Sequence, residues 1–293
     1  MTGLLIDPFQ TEYMRRALVE VVLLGVLAGA VGVAVVLRRL AFYGDVLTHT
    51  VFPGIVLAVV LGQSIFLGAL VFALATAVLL AGLGRGRRVP VDAGLAILLT
   101  SFFSLGVVLV SRRQTYASDL TLFLFGRLLA VDAGEIVLTA VIGTGVLVTL
   151  ALVRKELLLR AFDPEGAEAM GYRTVLLDLL LNVCVALVVV AALKAVGTLL
   201  VLALVVIPAA AARLVTDRVG SMVAVSCVLG ALAGWVGLGA SYRVSIDYGV
   251  RLGSAATVVV VLVACFALCV AAGPGLRHLR HLRQLRQLRS RAA

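Results

Sequence analysis

Nine apolar runs, each about as long as one membrane crossing, follow one another at residues 17–37, 41–62, 64–83, 91–110, 133–153, 175–196, 197–215, 219–240 and 250–272. A spanning helix takes about 20 such residues. In lipid every backbone polar group must be satisfied within the protein, which leaves helices and closed barrels as the spanning structures. Barrel strands alternate polar and apolar residues over about ten positions, and no stretch of this chain does. Gly and Ala are scattered through the runs, as in membrane helices whose backbones approach closely. The expected fold is an all-α integral membrane protein, a polytopic bundle of eight to nine transmembrane helices. Residues 1–275 form the membrane domain and 276–293 a basic tail.

Of the 293 residues, 62% are hydrophobic and 14% charged. Soluble domains are nearer half apolar and about a quarter charged, so no soluble catalytic domain is expected. Met1 to Gln10 lacks the basic stretch and small-residue cleavage site of a signal peptide.

The net charge of +10 does not point to nucleic acid. Arg277, Arg280, Arg283, Arg286, Arg289 and Arg291 crowd the tail, and no acid follows Asp247. Arg38 and Arg39, the run Arg85-Gly86-Arg87-Arg88, the segment Arg154 to Arg173, and Arg213 with Arg218 lie between apolar runs. With nine spans counted, all of them and the C-terminus fall on one side, which the positive-inside rule makes cytoplasmic. Arg15, Arg16, Arg112 and Arg113 fall on the other. An eight-span count moves the N-terminus inside. The basicity encodes orientation in the membrane, and the Leu/Arg tail is expected to lie on anionic lipid, with a partner-binding helix as the alternative. Cys184, Cys227, Cys265 and Cys269 all sit in apolar runs; they read as small buried hydrophobes, although Cys265 and Cys269 are spaced to share a soft metal.

Within the second run the chain reads Tyr43-Gly44-Asp45-Val46-Leu47-Thr48-His49. Ionisable groups at such depth are costly and face a partner, a cavity or a transported ion. Positions i and i+4 share a helix face. From a start near Arg39, a rise of 1.5 Å per residue puts His49 roughly 15 Å inward, near the midplane of a ~30 Å hydrocarbon core, where transporters place their sites. Carboxylate plus neutral imidazole suits Mn²⁺, Fe²⁺ or Zn²⁺. A two-fold dimer would double the ligands if the pair lies near its axis. The alternative is an internal Asp–His hydrogen bond that only satisfies a buried charge, and the residues alone leave both open. Pro53 and Gly54 follow one turn later and can open the helix backbone. Pro208 is expected to bend its span, Lys194 to snorkel to the outer face, and Asp178 and Asn182 to lie one turn apart near an inner end.

Two connections exceed ordinary turns. Ser111 to Asp132 contains Leu122-Phe123-Leu124-Phe125-Gly126, too short to span and suited to an interfacial or re-entrant helix. Arg154 to Thr174 is the longest polar stretch. Its Asp163-Pro164-Glu165 has helix-start chemistry, an N-cap acid followed by proline and an acid in the first turn, and Gly171 is placed to stop that helix. This short cytoplasmic helix is either a well-capped loop or a docking element. There is no GxxxxGK[ST] phosphate loop, no HExxH and no nucleophile elbow, and His49, His278 and His281 are the only histidines. ATP hydrolysis by the P-loop route is excluded, and no enzyme activity is expected.

Taken together, the segments Phe42 to His49 with Pro53-Gly54, Phe123 to Leu129, Phe162 to Gly171, and Ala195-Val196-Gly197-Thr198-Leu199-Leu200-Val201 running to Pro208-Ala209-Ala210 resemble the membrane permease subunits of ABC importers for manganese, zinc and iron. They occur in that family's order over nearly the whole chain. The resemblance implies a homodimeric permease of the cytoplasmic membrane, docked onto two copies of an ABC ATPase and fed by an extracytoplasmic metal-binding protein. It makes Asp45 and His49 the ligands of a divalent ion in transit, with no permanently bound cofactor. Phe162, Asp163, Glu165, Glu168 and Gly171 become a coupling helix; Pro53, Gly54, Gly197 and Pro208 become bends or gates. Zinc-type members often carry a further histidine where this chain has Thr100, which favours manganese or iron. The final outer loop, Ser241 to Gly253, departs from the family by lacking its usual proline and holding Arg243 and Arg251. A permease for a metal chelate such as a siderophore or cobalamin would not need an Asp/His pair. A membrane-embedded enzyme using the pair for proton transfer would need further groups at that depth.

Overall fold

The computed structural model describes residues 7–85, 90–111, 126–249 and 252–272. Eleven α-helices run in chain order: α1 (Glu12–Leu37), α2 (Ala41–Thr50), α3 (Phe52–Val60), α4 (Ile65–Arg85), α5 (Val91–Val110), α6 (Ala133–Leu152), α7 (Arg154–Phe162), α8 (Pro164–Ala169), α9 (Thr174–Val215), α10 (Val219–Tyr248) and α11 (Ser254–Ala272). Short 3-10 turns stand at Asp7–Gln10 and Leu128–Ala130. No strand occurs among the described residues. Eight helices are long and apolar enough to span, with α2 and α3 counting as one. The expected all-α polytopic bundle is what the chain forms.

The chain starts its descent in α1, which packs antiparallel along α10 through small residues. A Cβ on Gly25 would sit 2.6 Å from the backbone of Gly230, and one on Gly29 would sit 2.9 Å from Ser226. Ser226 Oγ donates to the Gly29 carbonyl at 2.9 Å. Close backbone approach of this kind replaces the hydrophobic drive that helices lose in lipid.

The count of passes is decided by α9. Its 42 residues would extend about 63 Å as one rod, twice a ~30 Å hydrocarbon core. Near its start, Asp178 pairs with Arg38 and Arg160; just past its end, Val219 lines a cavity with Leu37 and Arg154. Both ends therefore lie at the Arg38 end of the bundle. Its middle lies at the other: Lys194 pairs with Glu135 at the start of α6, and the Ala195 carbonyl accepts from the Arg127 N–H at 2.9 Å. The reversal falls at Gly197, whose φ of 73° and ψ of 173° break the helix. So α9 is two arms, and the eight candidate helices make nine passes of the bundle. Pro208 sits in the second arm, where the dihedrals stay helical.

Several expectations shift in detail. The polar segment after α6 holds two helices, α7 and α8, where one was expected. Asp163 closes the first and caps the second, its Oδ1 accepting from the Gly166 N–H at 2.8 Å. Gly171, with φ of 82°, ends α8 as expected, its N–H reaching the Glu168 carbonyl and that of Tyr172 the Ala167 carbonyl, the paired bonds of a Schellman cap. Helix α10 continues to Tyr248, so most of the Ser241–Gly253 stretch expected as a loop is helical. The expected interfacial helix at Leu122 to Gly126 lies, apart from Gly126, outside the described residues. All four cysteines are free thiols.

Candidate functional site

The turn that launches α2 is built by α1. Arg38 is the C-cap, Arg39 takes a left-handed φ of 56°, and the N–H groups of Arg39 and Leu40 donate to the carbonyls of Val36 and Val35. This is again the Schellman pattern, with arginine where glycine is usual. Three residues thus fix how α2 leaves α1. The Tyr43 hydroxyl, fully buried, donates to the Asn182 carbonyl of α9 at 3.2 Å and ties the first turn of α2 to that arm.

From Tyr43 to Gly54 every residue is buried except Asp45 and His49. Phe42, Asp45 and His49 form one stripe at helical spacing, open on the surface of the chain. The side chains of His49 and Asp45 are 30% and 29% exposed, and Nε2 stands 3.6 Å from Oδ1. That is longer than a hydrogen bond. Two donor atoms on one divalent ion, at bond lengths of about 2.0–2.2 Å, lie roughly 3.0–3.5 Å apart, so a small rotamer change would suit a shared ion. Phe103 of α5 meets the His49 ring edge-on, with centroids 5.4 Å apart. On the same helix Thr100, Ser101 and Ser104 are exposed, a polar patch within one turn of Phe103. Among the described residues no three His, Cys, Asp or Glu side chains stand close enough to hold a metal. Asp45 and His49 are two candidate ligands.

Pro53 cannot donate an N–H to the His49 carbonyl, and the span divides there, Val51 joining α2 to α3. Gly54 serves close packing: a Cβ there would strike the Gly68 carbonyl of α4.

At the Glu135 end a cavity of about 540 Å³ is lined by Ile55, Phe66, Arg127, Glu135, Thr139 and Lys194, among others. Ile55 belongs to the span that carries the pair, so the cavity approaches it from that end. Lys194, expected to snorkel to the outer face, pairs with Glu135 at that end, which Arg127 also reaches at 3.4 Å. Behind this wall lies a group the sequence did not single out. Glu20, fully buried on α1, accepts from the Thr139 hydroxyl at 2.9 Å, while its Oε2 has no partner among the described residues. A lone acid inside an apolar run was the available signal.

At the opposite end, Phe162 and Met170 flank α8 and are 66% and 68% exposed. Glu165, Glu168 and Gly171 are exposed beside them. These residues lie outside the helices long and apolar enough to span.

A family model described as the ABC 3 transport family matches residues 10–272. The chain is 37% identical to the manganese import system permease protein ScaB of Streptococcus parasanguinis over 240 residues, covering 82% of this chain and 85% of that one. It is 33% identical to the manganese transport system membrane protein MntC of Listeria monocytogenes, covering 88% and 92%. Among solved structures, a chain of PsaBC from Streptococcus pneumoniae in complex with Fab matches with a TM-score of 0.80 and 31% identity, over 96% of this chain and 99% of that one. An inward-facing metal-chelate type ABC transporter, 18% identical with a TM-score of 0.68, shares the fold.

Proposed function

This chain belongs to the ABC 3 transport family, membrane subunits of ABC transporters rather than enzymes in themselves, and from that premise we propose that it is the permease of an importer for a divalent transition metal, Mn²⁺ first. The relatives named for manganese support the ion. The observation that carries the site is that Asp45 and His49 alone stay open on an otherwise buried stretch of span, side by side on one face. Two ligands per protomer suit an ion that must be released as well as captured.

The open stripe and the Thr100, Ser101 and Ser104 patch beside it favour a homodimer in which the two pairs face each other across the axis. ATP is hydrolysed on a partner subunit, two copies per complex, docked at Phe162 to Gly171. An extracytoplasmic binding protein delivers the ion at the Glu135 end. By the distribution of arginines, the Arg38 end and the C-terminus are cytoplasmic, and the protein lies in the cytoplasmic membrane.

The test is Mn²⁺ uptake by vesicles holding the permease with its ATPase. Asp45→Ala and His49→Ala are expected to abolish uptake while the complex still assembles and hydrolyses ATP. Normal uptake in both variants would overturn the site.

A further inference from the structure

At the cytoplasmic end one carboxylate joins three parts of the bundle. Asp178, in the first turns of α9, accepts from Arg38 at Oδ1 and from Arg160 at Oδ2, the latter at 3.1 Å. Arg160 lies on α7, three residues before Asp163, which caps α8. Arg38 is the C-cap of α1 and begins the turn that launches α2. One turn beyond Asp178 on the same arm, the Asn182 carbonyl holds the Tyr43 hydroxyl. Asp178 and Asn182 together grip the turn before α2 and the first turn of α2 itself.

We propose that Asp178 is a positioning residue of the transport cycle, passing displacement of the docking segment to the helix that bears Asp45 and His49. The inference rests on the permease reading above and adds the residues that transmit. The side chains of Arg38, Arg160 and Asp178 are 13%, 19% and 25% exposed, so the links are partly shielded from water and stronger than surface pairs. The cluster also holds polar atoms with no partner among the described residues. Among the described residues, the donors Arg38 Nη1 and Arg160 Nε are buried without a hydrogen bond, and so are the acceptors Glu156 Oε2, one turn before Arg160, and Asn182 Oδ1, one turn after Asp178. A static staple would be expected to satisfy its buried donors. Spare donors and acceptors within a turn of one carboxylate let either guanidinium exchange partners without leaving that carboxylate bare. The turn after Arg38 carries the movement onward, because its two backbone bonds and left-handed Arg39 make it a rigid three-residue lever.

The experiment uses the assembled permease–ATPase complex in vesicles, with Mn²⁺ uptake and ATP hydrolysis read on the same preparation and Mn²⁺ binding read at equilibrium. Asp178→Asn, which keeps the shape and removes the charge, is expected to leave hydrolysis within about twofold and Mn²⁺ affinity unchanged. Mn²⁺ moved per ATP should fall by about tenfold, in the range of ordinary coupling energies. Asp178→Glu should recover part of that ratio. Uptake and hydrolysis that fall together, or a ratio that does not change, would overturn the proposal. If Asp178→Asn fails to assemble, Arg160→Gln leaves the Arg38 pair in place and carries the same comparison. Failure of both to assemble would make the cluster a folding element and also overturn it. A wrong metal site would show instead as normal uptake in Asp45→Ala and His49→Ala, with the ratio in Asp178→Asn still readable.

Discussion

Gly126 and Gly197 meet backbone to backbone, with left-handed φ values of 67° and 73°. A Cβ on Gly126 would fall on the Val196 and Gly197 main chain. The contact braces the point where α9 turns back, and the Arg127 N–H next to it holds the carbonyl that the break releases.

Gly126→Ala should therefore destabilise the protein by at least about 2 kcal/mol, from left-handed strain plus the clash. Gly145, on α6 with open space around it, is the control. Gly145→Ala should be neutral or gain up to about 1 kcal/mol from helix propensity. Thermal unfolding of the detergent-solubilised protein measures both.

Thr139→Val removes the one donor to Glu20 and leaves both carboxyl oxygens buried and bare. The cost should be about 1–3 kcal/mol. Adding Glu20→Met removes the orphaned group, and the double variant should be more stable than Thr139→Val alone. Double-variant stability equal to or below that of Thr139→Val would show that Glu20 is satisfied by something else.

If Phe162 and Met170 are the docking surface, a charge there should weaken the complex without disturbing the bundle, since both side chains project away from it. Phe162→Asp and Met170→Glu are expected to reduce co-purification of the ATPase at least about tenfold, the loss typical of an interface anchor. The thermal stability of the isolated permease should not move. A drop in that stability would assign these residues to the fold.

Thr100 lies one turn from Phe103, which touches His49. Thr100→His should add an imidazole on the same open face and raise the affinity for Zn²⁺ more than for Mn²⁺, as nitrogen ligands do. Competition of Zn²⁺ against Mn²⁺ uptake should shift to lower Zn²⁺ by about tenfold; an unshifted curve would place residue 100 outside the pathway.

The sequence made the local features of this protein legible and left the distant ones dark. Asp45 and His49 stood out because an acid and an imidazole four apart in an apolar run have few explanations. Asp163, Pro164 and Gly171 marked α8 because caps are short-range chemistry. The boundary between the runs ending at 196 and starting at 197 was visible too, yet nothing in it said that one glycine would serve as the whole turn. That depends on Gly126, seventy-one residues earlier, offering its own backbone. Arg38 and Asp178 are 140 residues apart, and each alone reads as an ordinary charge at a helix end. Helix α7 hid because RKELLLRAF follows a span directly and looks like its fraying end.

The left-handed Arg39 has a consequence for how the protein is made. A glycine would sit there at lower conformational cost, by about 1 kcal/mol, and the folded bundle would tolerate it. The inserting chain would not be indifferent, because Arg38 and Arg39 are the two cations that follow α1, and positive charge beside a first span biases which way it inserts. A charge that helps to set orientation before there is a fold to enforce it would account for the small strain that the finished structure keeps at Arg39.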